Sequence, residues 1–107
     1  MAGRFERKKT SNGQYMFNLR AGNGEIVLTS QRYASRSGEL NGIRSVKANA
    51  RADKNYERRR ARNGKHCFVL LAKNRRVIAH SQLYTTTRSM ENGIKACKRD
   101  APGAKLD

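Results

Sequence analysis

The sequence predicts an α+β fold, in which two tandem copies of a three-strand-and-helix unit share one antiparallel sheet. Three observations predict it. Asn41-Gly42-Ile43 recurs as Asn92-Gly93-Ile94, 51 positions later (92 − 41), and the two halves match at that offset without a gap. Each half carries an Asn-Gly turn followed by period-two alternation, which marks hairpin strands. Each half then changes to apolar residues spaced three and four apart, which marks a helix.

The repeat extends along most of the chain. Phe5-Glu6-Arg7 matches Tyr56-Glu57-Arg58, and Asn12-Gly13 matches Asn63-Gly64. Phe17 and Leu19 match Phe68 and Leu70, Ser30-Gln31 matches Ser81-Gln82, Tyr33 matches Tyr84, and Lys47 matches Lys98. Two copies are too few to stack as a solenoid, which needs about three or more units. One pseudo-two-fold domain over residues 1–107 is expected, with copies at 3–52 and 54–107, as a monomer with internal symmetry.

The elements follow in order. Phe5 to Lys9 and Tyr56 to Arg60 are expected as opening strands, each entering an Asn-Gly hairpin turn at Ser11-Asn12-Gly13 or Arg62-Asn63-Gly64. Tyr15, Phe17, Leu19 and Ala21 then share one face of the second strand, and His66, Phe68, Leu70 and Ala72 repeat the pattern. Tight turns at Ala21-Gly22-Asn23-Gly24 and Lys73-Asn74-Arg75 lead to third strands at Glu25 to Ser30 and Val77 to Ser81. Arg75 stands where the first copy has Gly24, so this turn is expected to differ in geometry or to carry strain. Ile43, Val46 and Ala50, and again Ile94, Cys97 and Ala101, form helical stripes. Ser35 and Thr86 precede them as N-caps, and Pro102 is a stop signal. Asn41-Gly42 and Asn92-Gly93 therefore lie inside helices and are not turns. A mid-helix glycine costs roughly 1 kcal/mol relative to alanine, and close packing of helix on sheet is the expected reason for keeping it twice.

Hydrophobic residues make up 36% of the chain, so a modest core is expected from a domain of this size. No apolar run approaches the roughly 20 residues of a membrane-spanning helix. The start, MAGRFERKKT, has charge without an apolar h-region, so a cytoplasmic location is expected. The formal net charge is +16 at pH 7, with 24 Lys and Arg against 8 Asp and Glu. Such a chain attracts polyanions, and nucleic acid is the commonest in cells.

A strand triplet with Asn-Gly turns, then Ser-Gln-x-Tyr, then Asn-Gly-Ile on a helix stands here as SQRYASRSGELNGIRSVKANA and SQLYTTTRSMENGIKACKRDA. The pattern resembles the YegP-like family, bacterial proteins described as a domain of unknown function, over nearly the whole chain. The resemblance implies a β3-α-β unit used twice, with swapped C-terminal strands. These would be Ala104 to Leu106 and, in the first copy, Ala52 to Asn55. It implies no catalytic residue, cofactor or substrate.

The residues themselves give no enzyme site. Cys67, Cys97, His66 and His80 have none of the close spacing of a metal centre, and they align with Met16, Val46, Tyr15 and Thr29. Both cysteines read as small hydrophobes. No phosphate loop or nucleophile elbow occurs. A non-enzymatic protein without catalytic residues, metal or cofactor is expected.

The basic residues are the remaining candidates. Arg4, Arg7, Lys8 and Lys9 lie on or near the first opening strand, Arg58, Arg59, Arg60 and Arg62 mark its counterpart, and Arg75 and Arg76 sit at a hairpin tip. They are expected to bind RNA or DNA phosphates without reading sequence. The competing reading is a solvated charged surface. A second function class is a protein-interaction or self-associating module. If the helices cover the face of Phe17 and Phe68, the other face carries Met16, Val27, Cys67, Val69, Leu71 and Ile78; if they cover that face, the aromatic face is open. An exposed apolar face of either kind would suit a protein partner.

Overall fold

The computed structural model describes residues 3–106. The elements run β1 (Arg4–Lys9), β2 (Tyr15–Arg20), β3 (Ile26–Ser30) and α1 (Arg36–Asn49), then a 3-10 turn (Asp53–Asn55). The second copy follows as β4 (Tyr56–Arg60), β5 (His66–Leu71), β6 (Val77–His80), α2 (Thr87–Asp100) and β7 (Lys105–Leu106). The seven strands form one sheet in the order β4-β5-β6-β3-β2-β1-β7. At its centre Thr29 faces His80, its own counterpart in the repeat. The pseudo-two-fold axis passes through the sheet at this pair, which keeps α1 and α2 on the same face.

The expected turns and caps form where the residue chemistry places them. Gly13 and Gly64 take positive φ at the two first hairpins, at +83° and +80°. Their asparagines do not, so these are the longer hairpin loops closed by a left-handed glycine rather than two-residue turns. Arg75 holds φ +67° where Gly24 holds +87°. The second copy keeps the turn geometry and accepts the strain, about 1–2 kcal/mol for a residue with a Cβ. Ser35 Oγ accepts from Gly38 N at 3.1 Å and Thr86 Oγ1 from Ser89 N at 3.0 Å, capping the two helices.

The core lies between the helices and the sheet. Phe5 meets Phe17 edge-on at 5.6 Å, and Tyr56 meets Phe68 in the same way at 5.7 Å. Phe17, Phe68, Leu19, Leu70, Leu28 and Val46 are fully buried. The Ser-Gln-x-Tyr and Asn-Gly-Ile motifs prove to be one device. Tyr33 stacks on Phe17, and a Cβ on Gly42 would strike Tyr33 Oη and lie 2.7 Å from its Cζ. Tyr84 and Gly93 repeat the arrangement over Phe68. Glycine is therefore the residue that lets each helix settle on its tyrosine.

The serine of the motif completes the seam. Ser30 Oγ accepts from the buried amide of Phe17 at 2.9 Å and donates to Gln31 O; Ser81 Oγ does the same for Phe68 at 2.9 Å and Gln82 O. Ser81→Ala strands a buried N–H, which costs about 1–3 kcal/mol. Urea denaturation should show a lower midpoint with an unchanged m-value.

Three expectations are corrected. The sheet is mixed, because β7 runs parallel to β1, pairing Arg4 with Lys105 and Phe5 with Leu106. The swapped strand exists once: Ala52 to Asn55 forms the 3-10 turn instead. By symmetry, residues 54–55 would have to lie parallel beside β4, which they directly precede, and a parallel pair needs a long crossover. Val27 and Ile78 belong to the helix-side core. Leu19 pairs with Leu28 and Arg20 with Ile26, so Val27 is the extra residue of a bulge; Ile78 is its equivalent between the Leu70–Ala79 and Leu71–Val77 pairs. A bulge puts two successive residues on one face, which alternation alone does not reveal.

Candidate anion-binding site

The two basic opening strands do not come together. β4 is one edge of the sheet, and β1 lies beside β7 at the other. Alternation further divides each strand between faces. Arg7 and Lys9 share the helix side with Phe5, and Arg58 and Arg60 share it with Tyr56. Arg4, Lys8 and Arg59 point to the open side with Glu6 and Glu57.

Several of the predicted cations are held by carboxylates. Arg58 binds Glu91 through Nε at 2.6 Å and Asp53 through Nη2 at 2.9 Å. Lys98 joins Asp53 at 2.7 Å. The Arg58 and Lys98 bonds hold the Asp53 carboxyl down at about 2, and Arg58 likewise lowers Glu91. Arg59 pairs with Glu57 at 2.6 Å and Lys8 with Glu6 at 3.5 Å. Arg60 reaches the Gly64 carbonyl at 3.5 Å and Arg75 the Lys54 carbonyl at 3.2 Å. Arg4, Arg62 and Arg76 are exposed, the last two at hairpin tips.

Arg7, Lys8 and Lys9 do come together, with residues that sequence reasoning missed. They line a cleft of about 320 Å3 with Tyr15, Arg36 and Glu39. The isolated bridge Tyr15–Tyr33 ties the start of β2 to the segment before α1, which brings Arg36 over the Tyr15 ring. Arg36 and Lys9 each lie 5.7 Å from that ring's centroid. Glu39 is 1% exposed, and its Oε1 accepts from Arg7 Nε at 2.8 Å. Its Oε2 is buried and accepts no hydrogen bond from the described residues. The repeat carries the signal for this site: at the 51-residue offset Glu39 stands against Met90, a charge in an apolar place.

The open sheet face is not an exposed apolar patch. Val69 and Leu71 are buried at 5% and 2% exposure, and Met16 and Cys67 are half-buried. Glu57 and His80 flank Val69 in register, and Val77 flanks Leu71. In the first copy the same face is polar: Glu6 accepts from Arg20 and Asn18, and Asn18 Oδ1 accepts from Thr29 at 2.9 Å. The large hydrophobics exposed among the described residues are Leu83 and Leu106. Burial pushes the Cys97 thiol up to about 12, aided by Asp100. Among the described residues no three His, Cys, Asp or Glu side chains gather where a metal could sit, and no helix is long and apolar enough to cross a membrane.

The chain matches the domain of unknown function DUF1508 twice, over residues 10–57 and 61–107. A UPF0339 protein of Pseudomonas aeruginosa is 45% identical over 106 residues, covering 99% of this chain and 96% of that one. The chain belongs to the UPF0339 family. The UPF0339 protein YegP of Escherichia coli is 46% identical over 98 residues, 92% of this chain and 89% of its own. The solution structure of YegP superposes with a TM-score of 0.94 at 42% identity, covering all of this chain and 92% of that one. A UPF0339 protein of Shewanella oneidensis gives a TM-score of 0.93 at 40% identity, covering all of this chain and 91% of that structure. In this UPF0339 chain the two copies diverge at the cleft, where Tyr15, Arg36 and Glu39 of the first face His66, Thr87 and Met90 of the second.

Proposed function

We propose that this chain is a non-enzymatic binder of RNA or DNA that grips phosphates with Arg and Lys and reads little sequence. One observation carries the reading. Glu6, Glu39, Asp53, Glu57, Glu91 and Asp100 are each paired with a cation, yet the net charge remains +16. The surplus is presented outward, at Lys9, at Arg60 and Arg62, and at Arg75 and Arg76, all exposed. Cations distributed around a domain suit a flexible phosphate chain that can follow them. Among the described residues the open sheet face carries no Phe, Tyr or Trp, and the His80 ring beside Val69 is a single platform, which favours backbone contact over the stacking of successive bases. In the cytoplasm expected for the protein, RNA and DNA are the abundant polyanions.

The test is fluorescence anisotropy with unrelated RNA and DNA oligomers over a salt series. Affinity should fall along a steep log–log slope as counter-ions are released. Arg60→Glu and Arg62→Glu should each flatten that slope by about 1. No binding at low salt, or binding indifferent to salt, would overturn the reading.

A further inference from the structure

The cleft around Glu39 has a chemistry that phosphate contacts alone do not explain. We infer that it is a binding site for a small phosphate monoester that also carries a hydrogen-bond-donating amine. The inference stands apart from the nucleic-acid reading: it shares Lys9 with that surface, but it depends on Glu39, which a phosphate chain would avoid.

The argument starts from the buried carboxylate. Glu39 is 1% exposed, on α1, where the second copy has Met90. Burying a carboxylate is costly unless its oxygens are hydrogen-bonded. Arg7 serves Oε1 at 2.8 Å, and among the described residues nothing serves Oε2. A structural ion pair in place of a methionine would be expected to use both oxygens, as Asp100 does with Arg99 and the Gly22 amide. A buried oxygen left without a donor suits a site that receives one from a ligand.

The rest of the cleft sets the other end of that ligand. Arg7, Lys9 and Arg36 line it with Tyr15 and Glu39; Lys8 borders it too, but its ammonium pairs with Glu6 on the open face, and the other three cations still outnumber the one carboxylate. Lys9 and Arg36 sit over the Tyr15 ring, which holds two long side chains near one place. Such a pair presents donors to a dianionic phosphate with less freedom to lose. A volume of about 320 Å3 lies at the small end of ligand cavities and suits a metabolite rather than a polymer. Phosphate at the cations and an N–H donor at Glu39 Oε2 satisfy both ends together.

Isothermal titration of the full chain with O-phosphoethanolamine and with methyl phosphate separates this from simple attraction of anions. Charge alone favours methyl phosphate, whose two negative charges are not offset by an ammonium. The inference predicts the reverse, with O-phosphoethanolamine about tenfold tighter, the worth of one charge-assisted hydrogen bond. Glu39→Gln replaces an oxygen with an amide donor, and should abolish the preference while leaving oligonucleotide anisotropy unchanged. Arg36→Ala, at an exposed position, should weaken both phosphates and preserve their ratio. Methyl phosphate binding as tightly as O-phosphoethanolamine to the unaltered chain, or no binding of either, would overturn the inference whether or not Glu39→Gln folds.

Discussion

Phe68→Ala is expected to lower the unfolding free energy by about 3–5 kcal/mol. The ring is fully buried, meets Tyr56 edge-on at 5.7 Å and stacks with Tyr84 at 6.3 Å. It also touches the seam, since its Cε2 would lie 3.3 Å from a Cβ on Gly93. Removing it takes contacts from the strand, the tyrosine and the helix at once, and a cavity remains because three rigid neighbours cannot collapse into it together. Small domains have about 5–15 kcal/mol in total, so urea unfolding should begin at much lower concentration. Phe17→Ala should cost a similar amount, because Phe5 and Tyr33 surround that ring in the same way. A loss below about 1 kcal/mol at either position would contradict a single core shared by both copies.

Gly93→Ala is expected to destabilise by about 1–3 kcal/mol, although alanine is the better helix former by roughly 1 kcal/mol. The sign of the result is therefore informative. The new methyl would strike Tyr84 Oη and lie 2.9 Å from its Cζ. The hydroxyl cannot swing aside, because it ends a ring stacked on Phe68. Tyr84→Phe removes the nearest atom, so the double variant Gly93→Ala with Tyr84→Phe should lose less than the two single losses together. A double-mutant cycle by chemical denaturation measures that coupling. The same cycle at Gly42 and Tyr33 should give the same sign. Net stabilisation by Gly93→Ala would show that propensity outweighs the seam.

The parts of this fold that were legible in the sequence are those set by local chemistry. Asn12-Gly13 and Asn63-Gly64 turn the chain because glycine accepts positive φ, and Ser35 and Thr86 cap helices through a bond to a residue three positions on. The duplication was legible for a different reason, since a matched offset needs no physics to detect. What escaped depends on distant partners. The bulges at Val27 and Ile78 appear only once β3 is paired with β2 and β6 with β5. The failure of Ala52 to Asn55 to form a strand follows from where β4 begins in space. The basic stripes looked alike along the chain, yet they lie at opposite ends of the sheet and on both faces. The cleft was half legible: Arg7, Lys8 and Lys9 were visible as charge, whereas Arg36 and Glu39 join them through the Tyr15–Tyr33 bridge.

The strand β7 belongs to the second copy and lies on β1 of the first, with the Lys105 amide donating to the Gly3 carbonyl at 3.2 Å. Encoded separately, each half would have to find a mate, and its folding would depend on concentration as an obligate homodimer's does. Joining the halves in one polypeptide replaces that encounter with an intramolecular one of fixed stoichiometry. It also releases the halves from being identical. A homodimer must carry every substitution twice, so a buried charge accepted for a ligand would weaken both subunits. In the fused chain one half keeps Met90 in the core while the other holds Glu39 in its place, and a specialised pocket is carried at half the structural cost.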